Sequence, residues 1–131
     1  MSQPVLVVEP DATLRHVLVR LLRHEGCNVT TAADLAECRA ALDGWAGIIL
    51  AGDRIATDRS LGAALRSIRS ASPAPVVLLV GSIDEQSAEE VRSVPDVLVA
   101  QKPLDRARLA ELIGLAVKVR KAGAGSHVPI A

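Results

Sequence analysis

Three short aliphatic runs, each followed closely by a charged residue, constrain the fold of this chain more than any other feature. The runs span residues 5–8, 48–51 and 97–100, and the charged residues that follow them are Glu9, Asp53 and Lys102. A continuous aliphatic run of this length is typical of a strand buried on both faces of a parallel sheet. Since the carboxyl ends of parallel strands share one edge, the pattern predicts that two carboxylates and an ammonium group meet at a single rim.

The segments between the strands carry apolar residues at helical spacing. Strands are predicted at 5–8, 28–32, 48–51, 76–80 and 97–101, and residues suited to cap helices are Asp11, Asp34, Ser82 and Asp105. This alternation predicts a doubly wound, flavodoxin-like α/β domain with five helices around a parallel sheet of order 2-1-3-4-5. We expect residues 1–121 to form this domain and residues 122–131 to be a flexible tail or the start of a linker.

The first predicted helix has an apolar face and a basic face. The stripe expected to face the core is Leu14, Val17, Leu18, Leu21 and Leu22. The basic residues are Arg15, His16, Arg20, Arg23 and His24. A group of cations on a surface helix is most simply interpreted as a solvated face.

Composition excludes several classes of protein. The chain of 131 residues has the length of one domain. Its Lys+Arg and Asp+Glu counts are equal at 15, which argues against a nucleic-acid-binding surface spread over the whole fold. No apolar run approaches the ~20 residues of a membrane span, and the N-terminus lacks the basic region of a signal peptide. Cys27 and Cys38 lack metal-ligand spacing. We expect them to be buried free thiols of a cytoplasmic protein, with a disulfide as the less favoured alternative.

In this arrangement, residues 4 to about 119 resemble the receiver domain of bacterial response regulators. The segments that carry the resemblance are VLVVEPDATLRHVLVRLLRHEGCNVTTAAD, PVVLLVGS and QKPLDRARLAELI. In that family a histidine kinase phosphorylates an Asp at the end of strand 3, two acids after strand 1 hold Mg²⁺, and the Lys after strand 5 pairs with the phosphoryl group. A Thr or Ser after strand 4 and an aromatic on strand 5 carry the signal to the helix 4–strand 5–helix 5 face.

The resemblance places the metal ligands at residues that suit Mg²⁺ poorly. Glu9 matches the first acid as a longer homologue, and Pro10, at the second acid position, has no side-chain oxygen. Mg²⁺ normally takes one or two carboxylates in a near-octahedral set of oxygens. We therefore expect no cofactor, or weakly bound Mg²⁺ held by Glu9, Asp11 and Asp53, with Asp11 also expected to cap the first helix.

Asp53 is the candidate phosphoacceptor, and two ways of counting place it differently. Counting from the strand at Ile48 puts Gly52 at the acceptor position, whereas counting back from the helix at Leu65 and Ile68 puts Asp53 there. A shift of one residue turns a strand side chain to the opposite face, so the strand count would leave the chain without an acceptor. Lys102 matches the family and is expected to form a salt bridge with Glu9 or Asp53, followed by a cis bond at Pro103.

The residue pair that transmits the signal in that family is also altered. Val80 stands at the Thr/Ser position, with Ser82 two residues beyond it, and Val99 stands at the aromatic position. The chain has no Tyr or Phe and no Thr after Thr57, so the usual switch pair is absent.

These features predict a degenerate receiver, or pseudo-receiver, that is not an enzyme. We expect a two-component signalling module that acts by protein–protein interaction, with impaired or absent phosphorylation. The expected partner is a histidine kinase, a downstream effector, or a second copy bound through the helix 4–strand 5–helix 5 face, with no nucleic acid and no membrane. One alternative left open is an atypical but working phosphoacceptor at Asp53. A flavin or nucleotide site is less favoured because the loop 9–12 is acidic and stiff.

Overall fold

The computed structural model describes residues 3–45, 47–56, 60–102 and 105–122. Its five strands are β1 (Pro4–Val8), β2 (Asn28–Ala32), β3 (Ile48–Gly52), β4 (Val76–Val80) and β5 (Val97–Gln101). All paired strands are parallel, and the order across the sheet is β2-β1-β3-β4-β5. The predicted strand positions, strand order and fold class are confirmed.

Five helices connect or follow the strands. They are α1 (Ala12–His24), α2 (Leu35–Ala41), α3 (Leu61–Ala71), α4 (Glu85–Arg92) and α5 (Arg106–Ala122), with one short 3₁₀ turn at Asp53–Ile55. Helix α5 extends one residue into the predicted tail. The rest of that tail, 123–131, and the predicted cis bond at Pro103 lie outside the described residues. Within the described part of the chain, no helix combines the length and apolarity needed to cross a bilayer.

The sheet separates two apolar layers because successive strand residues point to opposite faces. The first layer holds Leu6, Val8, Ile49 and Ala51 against α2, α3 and α4, and the second holds Val5, Val7, Ile48 and Leu50 against α1 and α5. Trp45 packs against the first layer.

The two cysteines are free thiols, as predicted. Cys38 is buried in the first layer, and Cys27 is half-buried against the second, so the sheet lies between them. Burial raises the pKa of the Cys38 thiol to about 11. Cys38 therefore behaves as a small apolar residue.

Three of the four predicted caps are present, and the fourth is wrong. Asp34 accepts from the backbone N–H of Glu37 at 2.8 Å, Asp105 accepts from that of Arg108 at 2.8 Å, and Asp11 caps α1. Helix α4 is capped by Asp84 instead of Ser82 and begins at Glu85. An aspartate side chain adds a negative charge at the positive end of the helix, which favours the later start. The N–H of Ser87 in this cap lowers the pKa of the Asp84 carboxyl.

Four of the five residues predicted to face the core from helix α1 do so, and Val17 is the exception. Leu18, Val19 and Leu22 are buried, whereas Val17 is 45% exposed. Leu14 and Leu21 pack at the edge of the second layer. Val17 and Val19 are both apolar, and the orientation of α1 leaves Val17 exposed and Val19 buried.

A single arginine joins two loops on the side of the sheet opposite the carboxyl ends. The Arg69 guanidinium donates to the carbonyls of Ser72 (3.0 Å), Ala74 (2.6 Å), Pro95 (2.9 Å) and Asp96 (3.2 Å). Burial lowers the pKa of Arg69, and Asp96 partly offsets that effect. Asp96 itself has a positive φ of 58°, a conformation seen more often for Asp and Asn than for most residues.

Candidate functional site

Glu9, Asp53 and Lys102 come together at the carboxyl edge of the sheet, and we call this group the rim. The Lys102 ammonium lies 3.3 Å from Oδ1 of Asp53 and 3.9 Å from Oε1 of Glu9. The backbone N–H of Lys102 donates to the carbonyl of Val80 at 2.8 Å, which extends the β4–β5 pairing by one residue and fixes the lysine at this edge. One ammonium group therefore lies within ion-pair distance of two carboxylates.

Glu9 is completely buried, which is unusual for a charged residue. Its backbone N–H donates to the carbonyl of Ala32 at 3.0 Å, so the residue continues β1 beyond its last paired position. Oε2 accepts from the backbone N–H of Asp11 at 3.0 Å. Oε1 has no hydrogen-bond partner among the described residues and faces Lys102, whose charge balances the carboxylate.

Gly52 stands at the end of β3, directly beside the Glu9 carboxylate. The pairing of Val8 with Ala51 brings the next residues of both strands level with each other. A Cβ at Gly52 would overlap Oε1 of Glu9 and lie 3.2 Å from its Cδ. The longer side chain of glutamate therefore fills the space that a side chain at position 52 would need.

Asp53 reaches the rim from the turn that follows the strand. It is the first residue of the 3₁₀ turn, and its side chain is 23% exposed. Oδ2 accepts from the backbone N–H of Gly81 at 2.9 Å, and Oδ1 accepts from the Lys102 ammonium. The last strand position is thus glycine, and the carboxylate of the next residue, Asp53, enters the rim.

Oxygen atoms of the loop after β1 accept hydrogen bonds from residues of α1. Oδ1 of Asp11 accepts from the N–H groups of Leu14 (3.1 Å) and Thr13 (2.9 Å), and these hydrogen bonds lower the pKa of the Asp11 carboxyl. The Arg15 guanidinium donates to the carbonyl of Glu9 at 2.7 Å and to that of Pro10 at 3.5 Å. In the ranges the structure describes, no group of three or more His, Cys, Asp or Glu residues could hold a metal ion.

The two switch positions are part of the apolar core. Val80 is buried in the first layer, and Val99 is half-buried against the same layer, paired with Leu78 across the sheet. Neither side chain has a polar atom. Ser82 is exposed and lines a shallow cavity of about 470 Å³ together with Asp53, Arg54, Ser60, Asp84 and Ser87.

Sequence reasoning missed two contributors to this site. The amide of Gly81 binds Asp53 through the backbone, and no side chain marks such a donor in the sequence. The sequence places Arg15 on the basic, solvated face of α1, yet its guanidinium reaches back to the loop after β1. The one sequence signal for this contact is the position of Arg15, six residues after Glu9 and one turn into the helix.

Replacing Lys102 by methionine is expected to lower the free energy of unfolding by about 2 kcal/mol, because the buried Glu9 carboxylate loses its balancing charge. Lys102 is 24% exposed, so water compensates in part and the loss stays below that of a fully buried pair. Urea unfolding followed by Trp45 fluorescence measures it. Lys118→Met, at an exposed position of α5, is the matched control, and equal stability of the two variants would contradict the prediction.

No family model matches the chain, and no curated protein matches it. Solved structures do. A CheY-like receiver domain protein from Methanospirillum hungatei is 18% identical with a TM-score of 0.81, covering 93% of this chain and 98% of that one. The chemotaxis protein CheY4 from Vibrio cholerae is 19% identical with a TM-score of 0.77, covering 88% and 99%. A response regulator receiver protein from Sinorhizobium medicae is 21% identical with a TM-score of 0.75, covering 91% and 97%. The chain therefore has the fold of CheY-like receiver domains.

Proposed function

We propose that the chain is a receiver-like module of two-component signalling that acts by binding a partner protein and is not regulated by phosphorylation. One observation carries the proposal: the Glu9 carboxylate occupies the space beside Gly52 at the end of β3. In the receiver family this strand end bears the phosphoacceptor. Here the last residue of the strand has no side chain, and the carboxylate of Glu9, which follows β1, occupies the space beside it.

The charges at the rim support the same function. Lys102 is already shared between Asp53 and Glu9, so an incoming phosphoryl group would have to compete with two carboxylates for one ammonium. The side chain of Pro10 supplies no ligand to Mg²⁺, and Asp11 is engaged as a helix cap. With Val80 and Val99 packed in the core, the proposed module keeps one conformation and presents a constant surface.

The proposed binding surface is the face formed by α4, β5 and α5. Strand β5 lies at the edge of the sheet, where Val97 and Val99 are half-buried. Helix α4 adds exposed carboxylates at Glu85 and Glu89. A histidine kinase or a downstream effector is the proposed partner and the cytoplasm the proposed location, where free thiols such as Cys27 persist. We propose no enzymatic activity.

Treatment with Mg²⁺ and either acetyl phosphate or beryllofluoride tests this function. We expect no stoichiometric mass gain by intact-protein mass spectrometry and no change in Trp45 fluorescence, because the site lacks both a strand-end acceptor and a ligand set for the metal. Asp53→Asn is the matched control, and it should behave as the parent chain does. A stoichiometric change that this substitution abolishes would refute the proposal.

That same outcome would establish the second candidate, an atypical phosphoacceptor at Asp53. The observation in its favour is that the Asp53 carboxylate is partly exposed and borders the cavity of about 470 Å³ beside Lys102. In this function Glu9 and Asp11 would be the remaining metal ligands, and Mg²⁺ binding at millimolar concentration would be required.

A further inference from the structure

The shallow cavity that Asp53 borders has charged and apolar side chains that the proposed function does not use. It lies where the turn after β3 meets the first residues of α3 and α4, and we call it the Arg54–Asp84 cavity after two charged residues of its lining. Its volume of about 470 Å³ lies within the range of about 300–1,000 Å³ that is typical of small-molecule sites. The cavity is therefore large enough to hold a small metabolite.

The cavity presents one cation and one anion that lack partners of opposite charge. Arg54 is exposed, and its guanidinium forms no salt bridge with any residue that the structure describes. Asp84 is also exposed, and its Oδ1 accepts from the backbone N–H of Ser87 at 2.7 Å. Within the same described ranges no cation pairs with Asp84. Arg54 and Asp84 line the same cavity without forming an ion pair, so a ligand between them would pair with both.

The other carboxylate of the cavity is already engaged by the fold. Oδ1 of Asp53 accepts from the Lys102 ammonium at 3.3 Å, and Oδ2 accepts from the backbone N–H of Gly81 at 2.9 Å. A purely cationic ligand would therefore leave Arg54 unpaired beside it, and a purely anionic ligand would be repelled by Asp84. The charges of the cavity suit a zwitterion better than either.

The remaining lining supplies an aliphatic wall and hydroxyl groups. Ala56 and Ile83 are half-buried and pack against the first apolar layer, to which Leu61 belongs. Ser60 caps α3 as an acceptor, which leaves the hydrogen of its hydroxyl available to donate, and Ser82 is exposed. Among the described residues of this lining there is no aromatic ring. The wall therefore suits an aliphatic group, and the hydroxyls suit an acceptor such as a carboxylate.

We propose that the Arg54–Asp84 cavity binds a free α-amino acid with a small aliphatic side chain, such as leucine. The carboxylate of the amino acid would pair with the Arg54 guanidinium, whose fork of N–H donors suits that group, and its ammonium would pair with Asp84. Its side chain would lie against Ala56 and Ile83 and leave water. Binding in this way requires neither Mg²⁺ nor a phosphoryl group, so the proposal does not rest on the proposed function.

Isothermal titration calorimetry with L-leucine, in the absence of Mg²⁺ and of any phosphodonor, tests this proposal. We expect saturable binding at one site with a Kd of about 1 mM or below. Isocaproate, which lacks the ammonium of leucine, and isoamylamine, which lacks its carboxylate, should each bind about tenfold or more weakly, because each leaves one charged group of the cavity unpaired.

Two substitutions with matched controls locate the site. Arg54→Gln and Asp84→Asn should each weaken the binding of leucine by about tenfold or more, and asparagine at position 84 still caps α4. Arg92→Gln, at the far end of α4, and Asp43→Asn, before β3 at the opposite edge of the sheet, make the same charge changes at exposed positions. Both controls should bind leucine as the parent chain does, and urea unfolding of all four variants confirms that they are folded.

Three results would overturn the proposal. The first is the absence of saturable binding of leucine in the millimolar range. The second is equal affinity for isocaproate, isoamylamine or inorganic phosphate, which would indicate attraction of a single charge. The third is a loss of affinity in Arg92→Gln or Asp43→Asn as large as in the cavity variants. A phosphoryl group gained at Asp53 would refute the proposed function without changing these readouts, so the two failures are distinguishable.

Discussion

Replacing Arg69 by methionine is expected to lower the free energy of unfolding by about 3 kcal/mol. The substitution keeps most of the aliphatic stem and removes a guanidinium that binds the carbonyls of Ser72, Ala74, Pro95 and Asp96. These carbonyls belong to the loop before β4 and the loop before β5, which would then lose their common donor. Urea unfolding monitored by the fluorescence of Trp45 gives the difference in stability.

Arg39→Met is the control for the Arg69 substitution. Arg39 also reaches across to a neighbouring helix, where it donates to the hydroxyl of Ser67 at 2.5 Å and to its carbonyl at 3.4 Å, but those contacts are exposed to water. We expect a loss of about 0.5 kcal/mol or less. Similar losses for both variants would show that Arg69 contributes no more than an ordinary surface arginine.

The second large effect is a gain of function. Combining Glu9→Asp, Pro10→Asp and Gly52→Asp is expected to give a chain that accepts one phosphoryl group from acetyl phosphate in the presence of Mg²⁺. The first substitution withdraws the carboxylate from the space beside Gly52. The second adds a carboxylate that can bind Mg²⁺, and the third places a carboxylate at the strand end as an acceptor. Intact-protein mass spectrometry measures the gain, which should survive a further Asp53→Asn substitution.

Gly52→Asp alone separates the steric argument from the chemical one. The Cβ of the new aspartate would overlap Oε1 of Glu9, and its carboxylate would be the second one at a buried site. We therefore expect the free energy of unfolding to fall by about 2 kcal/mol. Adding Glu9→Asp should recover most of that loss, because the shorter side chain clears the overlap. If Gly52→Asp is as stable as the parent chain, the Glu9 carboxylate does not fill the acceptor space.

Periodicity predicted the sheet and its helices because the strands are almost purely aliphatic and the helical stripes are regular. The meeting of Glu9, Asp53 and Lys102 also followed from the sequence, since parallel strands carry their ends to one edge. The question of whether Gly52 or Asp53 ends the strand could not be answered from the sequence, because only the pairing with β4, in which Gly52 stands opposite Leu79, makes Gly52 the last strand residue.

Other features depend on contacts that leave no pattern in the sequence. The choice between Val17 and Val19 as a core residue depends on how α1 lies on the sheet, and both positions look equally apolar along the chain. The start of α4 at Glu85 depends on competition between Ser82 and Asp84 for one cap. The loops held by Arg69 depend on backbone carbonyls, which every residue has.

The bonds from Asp53 to Gly81 and from Lys102 to Val80 tie together the ends of three strands without any added group. In the function we propose, a domain closed in this way would carry no record of a recent stimulus. It could then report to a cell only how many copies are present, so its message would be set by synthesis and turnover of the protein and read out by occupancy of its partner.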